Sequence, residues 1–138
     1  METFKLKIVD STRVFFDGDC QCLTIPFVDG GEMAFLARHE NTVVPIEAGE
    51  MKIKSPDGSV IDAFVGEGFL EFLDNEATIV CTSAQLPDEI DLDRAEKSKA
   101  HYEEVLRQHH SHMEYADSKA GLARAMERIR IKNKFKLR

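Results

Sequence analysis

The chain has no tryptophan, only two tyrosines and only four prolines among its 138 residues. No apolar run approaches the roughly 20 residues that a helix needs to span a bilayer. The opening METFKLKIVD alternates charged and apolar residues and has no apolar h-region, so it does not read as a secretory signal. The expectation is a soluble, cytoplasmic protein, which still allows a place on a membrane complex. Cysteine is scarce: Cys20, Cys22 and Cys81. An odd count in an unsecreted protein argues against a disulfide framework. Cys20 and Cys22 are two apart, so on one strand they share a face. They read either as half of a thiolate metal site or as two small strand side chains. The lack of a second ligand pair at zinc-site spacing favours the latter. A P-loop, a nucleophile–base pair at recognisable spacing and paired zinc ligands are missing too. No catalytic residue and no metal site is therefore assigned. The nearest constellation is His109, His110 and His112 with Glu114. It reads more readily as a solvated turn than as a metal site, because successive residues there point in different directions.

Hydrophobic residues make up 43% of the chain, enough for a core without disulfides or metals. The net charge of −7 is unevenly spread. Residues 1–88 hold 16 acidic and 6 basic residues, whereas residues 89–138 hold 9 acidic and 12 basic. The acidic part should repel nucleic acid, whose affinity depends on Lys and Arg meeting phosphates. The basic part suits an acidic protein surface or a nucleotide phosphate.

The first part reads as strands. Phe4, Leu6 and Ile8 alternate with Lys5 and Lys7, the period of a half-buried strand. Further strands are expected at 14–16, 22–27, 33–36, 43–46, 51–54, 60–65, 69–73 and 78–81. Turn signals separate them: Asp17-Gly18-Asp19, Asp29-Gly30-Gly31, Ala48-Gly49, Pro56-Asp57-Gly58 and Asp74-Asn75. Short strands at this spacing predict a sandwich or barrel.

The composition shifts at Leu86-Pro87-Asp88, and Pro87 biases its predecessor away from helix. Beyond it, Asp91 is an N-cap candidate, with Asp93 suited to the helix start. Leu92, Ala95, Lys99, Tyr102, Leu106 and His109 fall on one helix face. Ser111 is placed to cap a second helix. Its stripe is read as Tyr115, Leu122, Met126 and Ile129, beside Ala116, Ala120 and Ala123. Gly121 inside this helix costs roughly 1 kcal/mol relative to Ala. It marks either close packing, the preferred reading, or a point where the helix bends. The fold class is thus mainly β with an α appendage: an N-terminal β-sandwich over 1–87, then a C-terminal antiparallel two-helix hairpin over 88–138.

Four segments in this order resemble the epsilon subunit of bacterial and chloroplast F-type ATP synthases, over essentially the whole chain. The opening strand followed by Val14-Phe15-Phe16-Asp17-Gly18 is similar to that family's first strand and its "vFdG" segment. The run from Gly31 to His39 looks like its "GElgvLpgH" signature, and Gly66-Glu67-Gly68-Phe69-Leu70-Glu71 resembles its "GGFveV" hairpin. Ile90-Asp91-Leu92-Asp93-Arg94-Ala95 matches its I/L-D-x-x-R-A helix start. Departures occur as well. Ala37-Arg38 replaces the usual Pro-Gly before His39, Asn41 stands where proline is common, and Glu67 replaces the first of two glycines.

The resemblance implies a non-catalytic part of the central stalk, peripheral to the cytoplasmic face of the membrane. The sandwich would bind the gamma subunit and the c ring, so coupling ion flow to ATP synthesis. The implied contacts are Glu32, Met33, Phe35, Arg38 and His39, with sandwich core as the other reading of Met33 and Phe35. No cofactor is required, but ATP is a possible regulatory ligand. The matching positions are Ile90, Asp91, Arg94, Ala95, Arg124 and Arg128. Guanidinium forks there suit phosphate oxygens, and Asp91 suits an adenine amino group. Gln85 and His101 stand where ATP-binding members carry an acidic residue and an arginine. The basic run Arg124, Arg128, Arg130, Lys132, Lys134, Lys136 and Arg138 would meet an acidic loop of the beta subunit and inhibit hydrolysis. As a bare sequence feature it is equally a solvated face. Two other classes compete. One is a free-standing ATP-sensing module in which the hairpin closes on nucleotide. The other is an enzyme on a small sandwich, disfavoured by the missing acid–base set.

Overall fold

A computed structural model describes residues 2–108 and 111–136. Two compact units emerge, Met1–Leu86 and Pro87–Arg138.

The first unit holds ten strands: β1 Phe4–Val9, β2 Val14–Cys20, β3 Cys22–Pro26, β4 Glu32–Leu36, β5 Thr42–Ile46, β6 Gly49–Lys54, β7 Val60–Val65, β8 Gly68–Leu73, β9 Glu76–Cys81 and β10 Ala84–Gln85. They form two five-stranded sheets, β2-β1-β9-β8-β5 and β10-β7-β6-β3-β4. The β1–β9 pair is parallel and all other pairs are antiparallel. Strict alternation explains the packing. Phe4, Leu6 and Ile8 of β1 turn inward and are at most 1% exposed, while Lys5 and Lys7 face out. Leu23, Ile25, Phe35, Met51, Ile53, Leu70, Phe72 and Ile79 complete the centre of the core. The sandwich expectation is met.

Three local expectations are corrected. Asp17-Gly18-Asp19 is not a turn: β2 runs through it, pairing Asp17 with Lys7 and Asp19 with Lys5. The ladder to β1 outweighs the local turn preference, and Lys5 Nζ lies 3.4 Å from Asp19. Cys20 and Cys22 do not share a strand, because the chain crosses between sheets at Gln21, whose N–H donates to the Lys54 carbonyl at 2.8 Å. Burial pushes the Cys20 and Cys81 thiols up to about 11, so both stay protonated near neutral pH. Among the described residues no group of three His, Cys, Asp or Glu side chains could hold a metal ion. The third correction is β10, too short to show a period in the sequence.

Asp10 anchors β10. Its Oδ1 accepts from Thr12 N at 2.8 Å, Thr12 Oγ1 at 2.9 Å and Arg13 N at 3.0 Å. Its Oδ2 accepts from Ala84 N at 3.1 Å. Burial pushes the Asp10 carboxyl upward, but the hydrogen bonds from Thr12, Ala84 and Arg13 outweigh it and hold it below the usual carboxylate range. A depressed folded pKa contributes stability above the unfolded value, and that contribution is lost as pH falls through the folded value. Asp10→Asn is therefore expected to cost about 1–2 kcal/mol at pH 7. The variant should also lose less stability than the parent between pH 5 and pH 3, as urea unfolding at each pH will report.

The second unit holds α1 Leu92–Arg107 and α2 His112–Lys136. Asp91 caps α1: its carboxylate accepts from Arg94 N at 3.0 Å. Ser111 caps α2, its Oγ accepting from Glu114 N at 3.2 Å. On α1, Ala95 is buried and Leu92, Lys99, Tyr102 and Leu106 are half-buried, as the face predicts, while His109 lies outside the described residues. The stripe expected on α2 holds only in part: Leu122, Ile129 and Ala120 are half-buried, but its other members are not. Tyr115 is 49% and Met126 50% exposed, and Ala116 and Ala123 also face solvent. The buried set is Ser118, Gly121, Ala125 and Ile131. Small residues take this face because the Tyr102 ring lies directly on Gly121: an added Cβ would overlap Cζ and stand 2.7 Å from Cε1. Packing is thus the reason for the glycine.

Candidate functional site

In the sandwich, the residues expected to meet partners lie on β4 and the loop that follows it. Glu32 and Arg38 are exposed, and Met33 and His39 are half-buried. Phe35 must be withdrawn as a surface contact. It is 0% exposed and stacks on Phe72 with ring centroids 5.9 Å apart. The β4 alternation turns Phe35 inward and Glu32, Ala34 and Leu36 outward. His39 sits over this aromatic pair, 4.6 Å from Phe35 and 5.5 Å from Phe72.

The loop takes its shape from the β8–β9 turn. Asp74 and Asn75 both have positive φ, 49° and 63°, as a two-residue hairpin turn with matching twist requires. Asn75 Oδ1 accepts from Arg38 N at 2.6 Å, and Asn75 Nδ2 donates to Thr3 O at 3.1 Å. Asn41 Oδ1 accepts from Asp74 N at 2.9 Å. Asn41 thus clamps the turn where a proline is common in the resembling family. Sequence reasoning named Asn41 only as a departure, and its pairing with a distant turn has no local signal.

Arg38 has φ 65°, in the left-handed region that favours glycine. The resembling family's usual glycine at this position fits that backbone. The Arg38 guanidinium reaches Glu2 at 3.1 Å, but both side chains are exposed and the pair contributes little. Arg38→Gly is therefore expected to be neutral to stabilising, by up to about 1 kcal/mol, since strain relief offsets the added unfolded-chain entropy. Thermal unfolding of the two proteins measures it.

In the hairpin, the expected nucleotide residues divide. Ile90 is 3% and Ala95 5% exposed, so both act as packing side chains here. Asp91 and Arg94 are exposed at the α1 start, with one Asp91 oxygen engaged in the cap. Arg124 and Arg128 are half-buried, and both have electrostatic or hydrogen-bonding partners. Two turns separate Tyr102 from Ala95 on α1, and two separate Gly121 from Arg128 on α2. Since Tyr102 faces Gly121, the antiparallel pairing brings Arg128 level with Ala95 and the helix start.

The basic run is partly engaged. Arg130 Nε lies 2.9 Å from Glu127, and Lys132 Nζ donates to the Pro87 carbonyl at 3.0 Å. Lys134 sits 5.3 Å from the Phe135 ring centroid. Lys136 is exposed, and Arg138 lies outside the described residues, as do His109 and His110 of the histidine cluster. The Lys132–Pro87 bond ties the end of α2 to the segment before α1, a contact the sequence does not signal.

The Gly121–Tyr102 contact has a measurable consequence. Gly121→Ala gains roughly 1 kcal/mol of helix propensity but forces the ring aside at about 1–3 kcal/mol. A net loosening of the hairpin is expected, seen as faster amide exchange around residues 118–125. With Tyr102→Ala in place the clash is gone and only the helix propensity remains, so Gly121→Ala should then tighten the hairpin, by about 1 kcal/mol.

The fold defines the class: a β-sandwich domain followed by an α-helical hairpin. Two family descriptions match in tandem, the ATP synthase delta/epsilon chain beta-sandwich domain over residues 3–87 and the long alpha-helix domain over residues 88–133. The chain belongs to the ATP synthase epsilon-chain family. It is 38% identical to the ATP synthase epsilon chain of Ruminiclostridium cellulolyticum over 134 residues, covering 97% of this chain and 98% of the relative. It is 36% identical to that of Caldanaerobacter subterraneus subsp. tengcongensis over 135 residues, covering 97% and 96%. The fold also resembles a chain in the Euglena gracilis mitochondrial ATP synthase OSCP/F1/c-ring structure, with TM-score 0.73 at 20% identity, covering 99% of this chain and 82% of that one.

Proposed function

We propose that the chain is the epsilon subunit in the central stalk of an F-type ATP synthase. The observation that supports this most strongly is identity with epsilon chains along nearly the whole length, through both sandwich and hairpin. In this reading the subunit is non-catalytic. Its sandwich is the assembly module, held by the gamma subunit and the c ring, and it helps pass torque from ion flow to the catalytic head. A rigid double sheet with a dry core suits that mechanical task. The proposed membrane link runs through the complex, at its cytoplasmic face; among the described residues no helix is long and apolar enough to cross a membrane. Glu32, Met33, Arg38 and His39 form the surface offered to rotor partners near the β4–β5 loop. The direct experiment is binding of a 1–87 fragment to purified gamma. A folded fragment that fails to bind rejects this division of labour.

The hairpin is the regulatory part. ATP is proposed as its ligand, with phosphate oxygens on Arg124 and Arg128 and the adenine amino group near Asp91. The support is the antiparallel pairing that brings Arg128 level with the α1 start. Calorimetry with ATP on the full chain decides it, and absence of heat at millimolar nucleotide removes the site. The basic run from Arg124 to Lys136 is proposed to meet an acidic loop of the beta subunit and slow ATP hydrolysis.

A further inference from the structure

Opposite charges meet at the end of the hairpin farthest from its loop. Segment 88–93 holds four acids, Asp88, Glu89, Asp91 and Asp93. On α2, Arg128, Lys132 and Lys136 recur every four residues and so share one helix face. Acids at the start of α1 and bases at the end of α2 each suit their own helix dipole. The structure adds a direct tie between the two stretches. Lys132 Nζ donates to the Pro87 carbonyl at 3.0 Å. The same oxygen accepts from Ile90 N at 3.2 Å, which closes the single 3-10 turn Pro87–Glu89. Pro87, Asp88, Lys132, Phe135 and Lys136 line one cleft of about 280 Å³. Lys132 is half-buried there, while Asp88 and Glu89 are exposed. The chain neighbours of the tie are fixed by burial, Ile131 in α2 and Ile90 just after the turn.

The tie exists only while α2 lies antiparallel along α1, because Pro87 stands just before α1. Opening the hairpin carries the end of α2 away from it. Lys132 then loses a charge-assisted hydrogen bond in a partly buried setting, a stronger contact than an exposed ion pair. Asp88 shares the cleft with Lys132 and Lys136, so the cations that a partner's carboxylates would meet already face a carboxylate of this chain.

We infer that segment 88–93 is an internal competitor: it holds the basic end of α2 through Lys132 and withholds it from an acidic partner surface. Release of the tail is then an exchange of one acidic neighbour for another. The strength of the internal neighbour sets how readily the tail leaves. The inference rests on the hairpin being the regulatory part, and it names what in this chain restrains it.

Two readouts test it. In the full isolated chain, Lys132→Met keeps helix propensity and removes the donor, so amide exchange over residues 128–136 should quicken about 10-fold. Asp88→Asn with Glu89→Gln leaves the whole basic run intact and should quicken it about 2–5-fold. Amides of the sandwich strands serve as the unchanged reference. In the reconstituted synthase, the variant at 88 and 89 should hydrolyse ATP about 2–5-fold more slowly than wild type, since its tail is freed for the partner. High salt should shrink that difference. Unchanged exchange in both variants overturns the inference and leaves the regulatory reading standing. Where truncation after Leu86 still raises hydrolysis, quickened exchange with unchanged or faster hydrolysis by the variant at 88 and 89 also overturns the inference alone. Truncation without effect on hydrolysis overturns the regulatory reading, and the inference with it.

Discussion

Removal of all residues after Leu86 is expected to leave the synthase assembled and to raise its ATP hydrolysis. The proposed switch of the tail would need a weak hairpin interface. Its α2 face is Ser118, Gly121, Ala125 and Ile131, mostly small side chains that bury little apolar area. At about 25 cal/mol per Å² such a contact is weak except where the Tyr102 ring covers Gly121. A gap of only a few kcal/mol between compact and extended states lets a ligand or a partner move the balance. The run from Arg124 to Lys136 supplies six basic residues against the single acid Glu127, so an acidic partner surface is the natural competitor. Alanine at these six positions should raise hydrolysis in part. Because exposed charge pairs are screened, the difference should shrink in high salt. Hydrolysis measured across a range of ATP concentrations checks this, and no change on truncation would return the run to a solvated helix end.

The second large effect separates folding from contact within the β4 segment. Phe35→Ala is expected to destabilise the sandwich by about 3–5 kcal/mol, the usual cost of deleting a buried aromatic. That is a large share of the roughly 5–15 kcal/mol that holds a domain together. Phe35 is fully buried and touches both Phe72 and His39, so its loss leaves a cavity between the sheets. Arg38→Ala, at an exposed position, should change stability by no more than about 0.5 kcal/mol. Urea unfolding of both variants, run beside gamma binding, tells the two roles apart. Weakened binding by Arg38→Ala at unchanged stability marks a contact residue. Weakened binding by Phe35→Ala only in step with unfolding marks a core residue.

The strands were readable because their signal is local. The alternation of Phe4, Leu6 and Ile8 states which face is buried without reference to any partner strand. Asp17-Gly18-Asp19 was misread because its strand character comes from the ladder to β1, which no window around residue 18 contains. The α1 face was legible, since its apolar residues fall on one side. The α2 face was not, because apolar residues occur all round the helix. The buried side is fixed by the fit of Tyr102 on Gly121, a contact between helices. Arg38 and Asn41 stood out as departures from a resembling motif, but their meaning lay in Asn75 and Asp74. The cap at Asp91 was correctly read from its place before the helix, as capping needs only its own first turn.

The central claim is that this chain works as a stalk subunit, and composition of the purified synthase tests it most directly. The complex isolated from the source organism, separated and weighed by native mass spectrometry, should contain this chain in equal number with the gamma subunit. Under the account, dissociation of the complex should yield a gamma–epsilon pair that includes it. A complete, active synthase with gamma present and this chain absent would contradict the claim.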